Sequence, residues 1–456
     1  MDIDERRYVR DTRASTSINS IGPDMTLLTE APGLPSSVMT RLPVVIIGAG
    51  PVGLAAAAHL LERGIEPLVL EQGDRVGAAI RQWGHTRLFS PWKHVTDAAS
   101  VRLLSANGWT PQHPEAMPTG DDLVKHYLEP LAATPALRDR IRVGVEVEAV
   151  SRLGMDRTRS TGRAEVPFVV RLGSGEELRA RAVIDASGTF GRPNPVIASG
   201  FRPRQEGAVA EHLTHGLPDV LGRDRARFAG KHTVVVGAGH SAANTLLALD
   251  RLAERAPGTT VSWLIRSATP VRVYGGDADE LAGRASLGAT VHDLVRSGRV
   301  ELLDSTLIDD VEKSGDRVTL VVTRDGAPVR IDADTVVVAT GFRPDLDMLR
   351  EIRVGLDEVI EAPVRLAPLI DPNLHSCGTV PPHGVDELSH PEPGFWLAGM
   401  KSYGRAPTFL LLTGYEQVRS IADEIAGNRE AARLIELVLP ETGVCSTDAP
   451  ASSCCS

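Results

Sequence analysis

The feature that most restricts this chain occurs twice. A β-branched run breaks into a glycine-rich turn, and an Ala/Leu-rich run comes at once after it. The first instance is Val44-Val45-Ile46-Ile47, then Gly48-Ala49-Gly50-Pro51-Val52-Gly53. The second is Thr233-Val234-Val235-Val236, then Gly237-Ala238-Gly239-His240-Ser241-Ala242. Such a run predicts a buried parallel strand, and the Ala/Leu stretch predicts a helix packed on it. The first glycine permits a tight turn, and the second lets the backbone approach a pyrophosphate. The third position, Gly53 or Ala242, allows helix and strand to pack closely. The helix N-terminus then offers free N–H groups and a positive dipole end to phosphate oxygens.

The strand after each turn separates the two copies. The strand Pro67 to Leu70 ends at Glu71-Gln72, where a carboxylate can accept hydrogen bonds from ribose hydroxyls. The strand Val261 to Ile265 ends instead at Arg266-Ser267. A cation there suits the 2′-phosphate of NADPH, which a carboxylate would repel; the plainer reading is a solvated arginine at a strand end. Each copy closes on an apolar strand and a small-residue turn, Val183 to Gly188 in the first and Val336 to Gly341 in the second, the latter holding Thr340. Alternating stretches, Val166 to Ala182 and Val318 to Ile331, read as β-meanders. The expected class is α/β: two Rossmann-like dinucleotide-binding domains with β-meanders, the second inserted into the first.

The expected layout is an N-terminal arm (1–40), a first domain (41–200), an inserted domain (201–344), a return to the first (345–428) and a tail (429–456). With 456 residues the chain is long enough for several cores. A net charge of −10 argues against nucleic-acid and anionic-membrane partners. No run is apolar enough to span a bilayer and no signal core opens the chain, so a cytoplasmic location is expected. Four cysteines, Cys377, Cys445, Cys454 and Cys455, rule against a disulfide-framed fold. The last three crowd a Ser/Ala/Pro tail and form a candidate metalloid site, thiolates being soft donors; a dispensable tail tolerating cysteines is the other reading. No cluster with metal-ligand spacing lies within the fold.

The arrangement resembles the two-dinucleotide-domain flavoproteins: glutathione and thioredoxin reductases and flavin-containing monooxygenases. The resemblance implies FAD in the first site and NADPH in the second. Pro393 to Met400, with Gly399 and Met400 at its end, is similar to the family's last FAD-contacting strand, and the helix after Pro407 would aim its N-terminus at the flavin. No cysteine precedes Cys377, so neither dinucleotide domain can hold the dithiol that disulfide reductases use. Gly237 to Ala242, Ala339-Thr340-Gly341-Phe342, Trp83, Phe89-Ser90-Pro91-Trp92 and Pro118 to Val124 resemble the monooxygenase branch. The chain lacks that branch's Phe-x-Gly-x-x-x-His fingerprint; only Glu211-His212-Leu213-Thr214-His215-Gly216 stands in that region. Ser402 to Ser420 and the late Cys-Cys resemble flavin-binding monooxygenases of actinobacterial arsenic-resistance clusters.

The resemblance implies an NADPH-consuming monooxygenase. Reduced FAD reacts with O2 at C4a, and the peroxyflavin passes one oxygen to a soft nucleophile. Partners are then a small-molecule substrate and O2; oligomeric state stays open, a homodimer being one option. Asn107 stands near where the resemblance would place an asparagine that holds the peroxyflavin. Trp83 and Trp92 are candidates to wall the flavin or to serve as core aromatics. Tyr403 and Arg405 either face the isoalloxazine or form a structural turn. His212 and His215 read as a surface pair, and Asp185 and Asp334 as strand closers. Two other readings stand beside this one: an NAD(P)H:acceptor reductase without oxygen insertion, and a thiol-tailed metalloid-binding flavoprotein.

Overall fold

The computed structural model describes residues 39–274, 282–373, 380–407 and 409–437. Residues 1–38 of the expected arm, Cys377 and the tail thiols Cys445, Cys454 and Cys455 lie outside the described residues.

The first part of the chain runs β1 (Val44–Ile47), α1 (Pro51–Glu62), β2 (Pro67–Leu70), α2 (Ala98–Ser105), β3 (Ile141–Arg142), an antiparallel meander β4 (Val147–Arg152), β5 (Phe168–Leu172) and β6 (Glu177–Ala180), then β7 (Ala182–Asp185). The second part runs β8 (Leu213–His215), β9 (His232–Val236), α3 (His240–Ala253), β10 (Thr260–Leu264), α4 (Ala282–Arg296), β11 (Glu301–Leu303), the meander β12 (Thr306–Ser314), β13 (Arg317–Arg324) and β14 (Ala327–Ala333), then β15 (Thr335–Val338). The chain then returns with β16 (Phe395–Leu397) and α5 (Leu411–Ala426).

Two parallel sheets result, ordered β16-β7-β1-β2-β3 and β11-β10-β9-β15-β8. The first takes its last strand from the far side of the second, as expected for an inserted domain. In both, the strand feeding the glycine turn lies between the next strand and the closing strand. That is the switch point where open α/β sheets bind ligands, at the carboxyl ends of the strands. β1 is wholly buried, and Ala55 to Ala58 of α1 are buried too. Methyl side chains let α1 lie close on the sheet.

Helices α1 and α5 pack side by side and parallel. At their starts Val52 sits where a Cβ on Gly414 would fall 2.6 Å from it and one on Gly399 3.2 Å. At their ends Arg63, the C-cap of α1, makes two hydrogen bonds to Asp423 of α5, at 2.8 and 2.6 Å. A buried network fixes α2 to this pair. His59 donates to Asp97, the N-cap of α2, at 2.9 Å; the Ser100 amide and hydroxyl donate to the same carboxylate. The Asp97 amide donates to the Tyr127 hydroxyl, and the Tyr415 hydroxyl to the Val95 carbonyl.

Two crossings join the sheets and run against each other. Asn194 donates its amide to Gly341 and its side chain to Thr340, and Arg343 donates to its Oδ1. Phe190 stacks on Phe342 with centroids 5.0 Å apart.

Burial works against the ionised form of Asp97, but the His59 bond and the Ser100 donors outweigh it and hold the carboxyl below the usual range. Its contribution to stability is therefore complete above the ordinary value of 3.8 and is lost as pH falls through the lower folded value. Asp97→Ala removes a cap and strands a buried imidazole, and is expected to cost about 3 kcal/mol. Urea denaturation at neutral pH measures this cost, and the gap between variant and wild type should narrow in acid.

Candidate functional site: two nucleotide turns and the wall between them

Gly48 has φ +100°, and a Cβ there would meet the Ala186 carbonyl at 2.8 Å. A Cβ on Gly53 would lie 1.9 Å from the Gly48 carbonyl, so helix and turn touch backbone to backbone. Gly50 differs, with nothing within 4 Å of its Cβ position. It is the N-cap of α1, with Pro51 next, no side-chain cap and no acid in the first turn. The second turn repeats the pattern. Gly237 has φ +124° and faces the Ala339 carbonyl at 2.3 Å, whereas Gly239 meets nothing within 4 Å. Gly239 caps α3, again without a side-chain bond or an acid, and Ala242 is fully buried. The Trp263 indole donates to the Gly237 carbonyl at 2.8 Å, bracing this turn from within the core. Both turns thus fit a pyrophosphate: open space at the second glycine, a helix start with no side-chain cap, and no acid in the first turn of either helix.

The strand ends carry the discriminating groups. Glu71 accepts from the amides of Ala49 and Gly73, both at 2.8 Å, which fixes its carboxylate beside the first turn with lone pairs to spare for hydroxyls. Gln72 is exposed next to it. Arg266 is exposed, with no carboxylate partner among the described residues; Ser267 donates to the Thr269 carbonyl.

Beneath the first turn lies an ion pair of two fully buried groups. Lys401 donates to Asp185 at 2.6 Å and to the Ser187 hydroxyl at 3.0 Å; the Ser187 amide and hydroxyl donate to the same Asp185. The pair locks the turn after β7, which abuts Gly48, to the turn after β16. Gly399 (φ +68°) donates its amide to Gln417 of α5. Gln417 in turn donates to Ser402 and to Nε2 of His383, whose Nδ1 donates to the Pro381 carbonyl. Burial pushes the His383 pKa down, which keeps the ring neutral and Nε2 able to accept. α5 has no side-chain cap and no acid in its first turn, so its positive end converges with that of α1.

The family model for pyridine nucleotide-disulphide oxidoreductases matches residues 45–365. The chain belongs to this family. It is accordingly an FAD- and NAD(P)-dependent oxidoreductase that binds FAD and NADP(H). It is 26% identical to a ferredoxin–NADP reductase of Ignicoccus hospitalis over 313 residues, 68% of this chain and 81% of that one. It is 30% identical over 269 residues to an indole-3-pyruvate monooxygenase of Oryza sativa subsp. japonica, 58% of this chain and 56% of the other. A bacillithiol disulfide reductase from Bacillus cereus superposes with a TM-score of 0.61 at 21% identity, covering 85% of this chain and 99% of that one. An ornithine N-hydroxylase from Kutzneria sp. 744 does so with 0.56 at 17%, covering 85% and 99%.

The two turns lie at the carboxyl ends of their sheets. Gly188 and Gly341 take positive φ just beyond the closing strands, and Thr340 is tied to Asn194. His240 and Ser241 form the first turn of α3. Met400 is half-buried beside Gly399. Trp83 is half-buried over Gly120, and Trp92 is buried. The structure places the three remaining candidates as follows, and for Tyr403 and Arg405 it favours the structural turn over the open face. Asn107 is exposed and donates to the Leu103 carbonyl. It comes soon after Arg102, which pairs with Glu62 at the last residue of α1, so it lies toward the end of α1 away from the phosphate turn. Arg405 is exposed and paired with Glu361. Tyr403 is buried between His383 and Phe409, its pKa raised by burial, and packs the loop rather than lining an open face. Of the paired expectations, His212 is largely buried against Lys313 and the Asp334 carbonyl, whereas His215 is exposed. Lys401 is not legible in the sequence; a lysine two residues after a strand's closing glycine carries no signal until its partner is known. Among the described residues no group of His, Cys, Asp and Glu could hold a metal, and no helix is long and apolar enough to cross a membrane.

The two kinds of glycine give opposite expectations. Gly53→Ala should destabilise the apoprotein by about 1–3 kcal/mol through overpacking. Gly50→Val should leave apoprotein stability near wild type and abolish flavin retention. Thermal melts of flavin-stripped protein, beside the flavin content of the purified variants, check both.

Proposed function

We propose that the first turn holds FAD, that the second holds NADPH, and that the enzyme is a monooxygenase that inserts oxygen into a soft nucleophile. The observation that carries this reading is the pairing of two uncapped nucleotide turns in a chain with no cysteine before Cys377. A route for hydride into the flavin is present; a dithiol route out of the dinucleotide domains is not. FAD, when bound, supplies hydride acceptance from NADPH and the activation of O2. Binding, orientation and water exclusion fall to the protein. The amides at the starts of α1 and α3 bind the two pyrophosphates, and Glu71 orients the flavin nucleotide's ribose. Arg266 reads the 2′-phosphate, and Phe89 excludes water on the side facing α3.

The relatives named as monooxygenases support oxygen insertion. The ferredoxin–NADP reductase relative favours the second reading, a reductase that passes electrons to an external acceptor. A trivalent arsenical is one soft nucleophile that fits the resemblance to arsenic-cluster enzymes, with the tail thiols as its carrier.

Labelled O2 separates the first two readings. Substrate-dependent NADPH oxidation that places labelled oxygen in the product supports monooxygenation. Acceptor reduction at a rate independent of O2, with no labelled product, overturns it. Arg266→Ala should raise the KM for NADPH roughly ten-fold or more with little change for NADH, since a lost charge-assisted bond to phosphate costs about 1.5–3 kcal/mol. Equal effects on both nucleotides would remove Arg266 from the site.

A further inference from the structure

Residues 82–93 leave the first domain as a stiff ribbon. The amides of Leu88, Trp92 and Lys93 donate to the carbonyls of Pro118, Ala116 and Pro114, and those of Gly120 and Asp121 donate back to Thr86 and Gly84. Arg87 pairs with Thr119 as an antiparallel bridge, and the buried Trp92 anchors the far end in the first core. The ribbon then reaches the second domain at two points. The Phe89 ring packs on His240, the first residue of α3, with centroids 5.0 Å apart at 57°. The guanidinium of Arg223 donates to the Gln82 carbonyl at 2.5 Å. A rigid piece of the flavin-side domain therefore touches the very turn that carries Gly237 and Gly239.

We propose that Phe89 and His240 form a clasp that sets the distance between the two nucleotide turns, and that Phe89 is a positioning residue for hydride transfer. This rests on the assignment of FAD to the first turn and NADPH to the second. Hydride transfer oxidises NADPH to NADP+ and moves its two electrons to the flavin, whose second proton comes from solvent. It demands near-contact of donor and acceptor, and an error of about 1 Å can cost roughly a hundred-fold in rate. The crossings held by Asn194 fix where the second domain attaches, and they lie away from the start of α3. The ribbon meets the second domain at the start of α3 itself, and so holds the second turn at a second point. The ring contact places no group on the 2′-phosphate, so affinity for the nucleotide is not its task.

Anaerobic flavin reduction by saturating NADPH, monitored by stopped flow, is the test, with Phe89→Ala, Phe89→Tyr, His240→Ala and the double variant Phe89→Ala/His240→Ala. The expected result is a roughly ten- to hundred-fold slower reduction in Phe89→Ala. The Kd for NADP+ should change by much less than the rate, Phe89→Tyr should restore the rate, and the double variant should be no worse than the more damaging single one. Hydrogen exchange of the flavin-free protein gives an independent reading: Phe89→Ala should speed exchange at residues 239–243 and not in β1 or α1. Flavin reduction at the wild-type rate in Phe89→Ala, or additive effects in the double variant, would overturn the clasp while leaving the cofactor assignment standing. If wild-type protein with bound flavin is not reduced by NADPH, the assignment falls and the positioning role with it.

Discussion

Two helices, α1 and α5, lie parallel with their positive ends together, and much of the site depends on that arrangement. Each helix end carries roughly half a charge, so parallel neighbours repel at both ends. The protein treats the two ends differently. At the C-terminal ends it places its own cation, Arg63, between the helices and ties it to Asp423. At the N-terminal ends it places none of its own anions: neither helix has a side-chain cap or an acid in its first turn. The contact of Val52 with Gly399 and Gly414 keeps those ends in register. The charge balanced internally at one end is left to a ligand's phosphates at the other, so nucleotide binding and the stability of the helix pair are linked.

The same logic explains why the motif is not used identically in both places. At the first turn the helix presses on the backbone so closely that the third position admits no side chain. At the second, Ala242 occupies that position with its methyl group buried. α3 therefore tolerates one more carbon between helix and turn, and the Trp263 indole supplies a brace that the first turn lacks.

Much of the frame was legible in the sequence because its signals are local. Strand, turn, helix and terminal residue fall within one short stretch for Gly48 to Glu71 and for Gly237 to Arg266, and both stretches fold as read. The closing strands and the β-meanders were legible through apolar runs and alternation. Two kinds of information were not. The first is partnership across the chain: Asp185 reads as a strand closer until Lys401 is found 216 residues later, buried against it. The second is direction. Asn107 lies near a plausible motif position, but α2 runs away from the phosphate turn and carries it to the far end of α1. Tyr403 sits in the right loop, yet the loop folds inward, because Gly404 at φ +56° turns the chain back over it.

The paired crossings around Asn194 have a mechanical consequence. A single linker acts as a ball joint, open to swing and twist alike. Two antiparallel linkers bonded side by side through Asn194, Gly341 and Arg343, with Phe190 stacked on Phe342, behave as a flat strap. A strap flexes across its width and resists torsion. Of these two freedoms, bending is the one left for the contact of Phe89 with His240 to restrain.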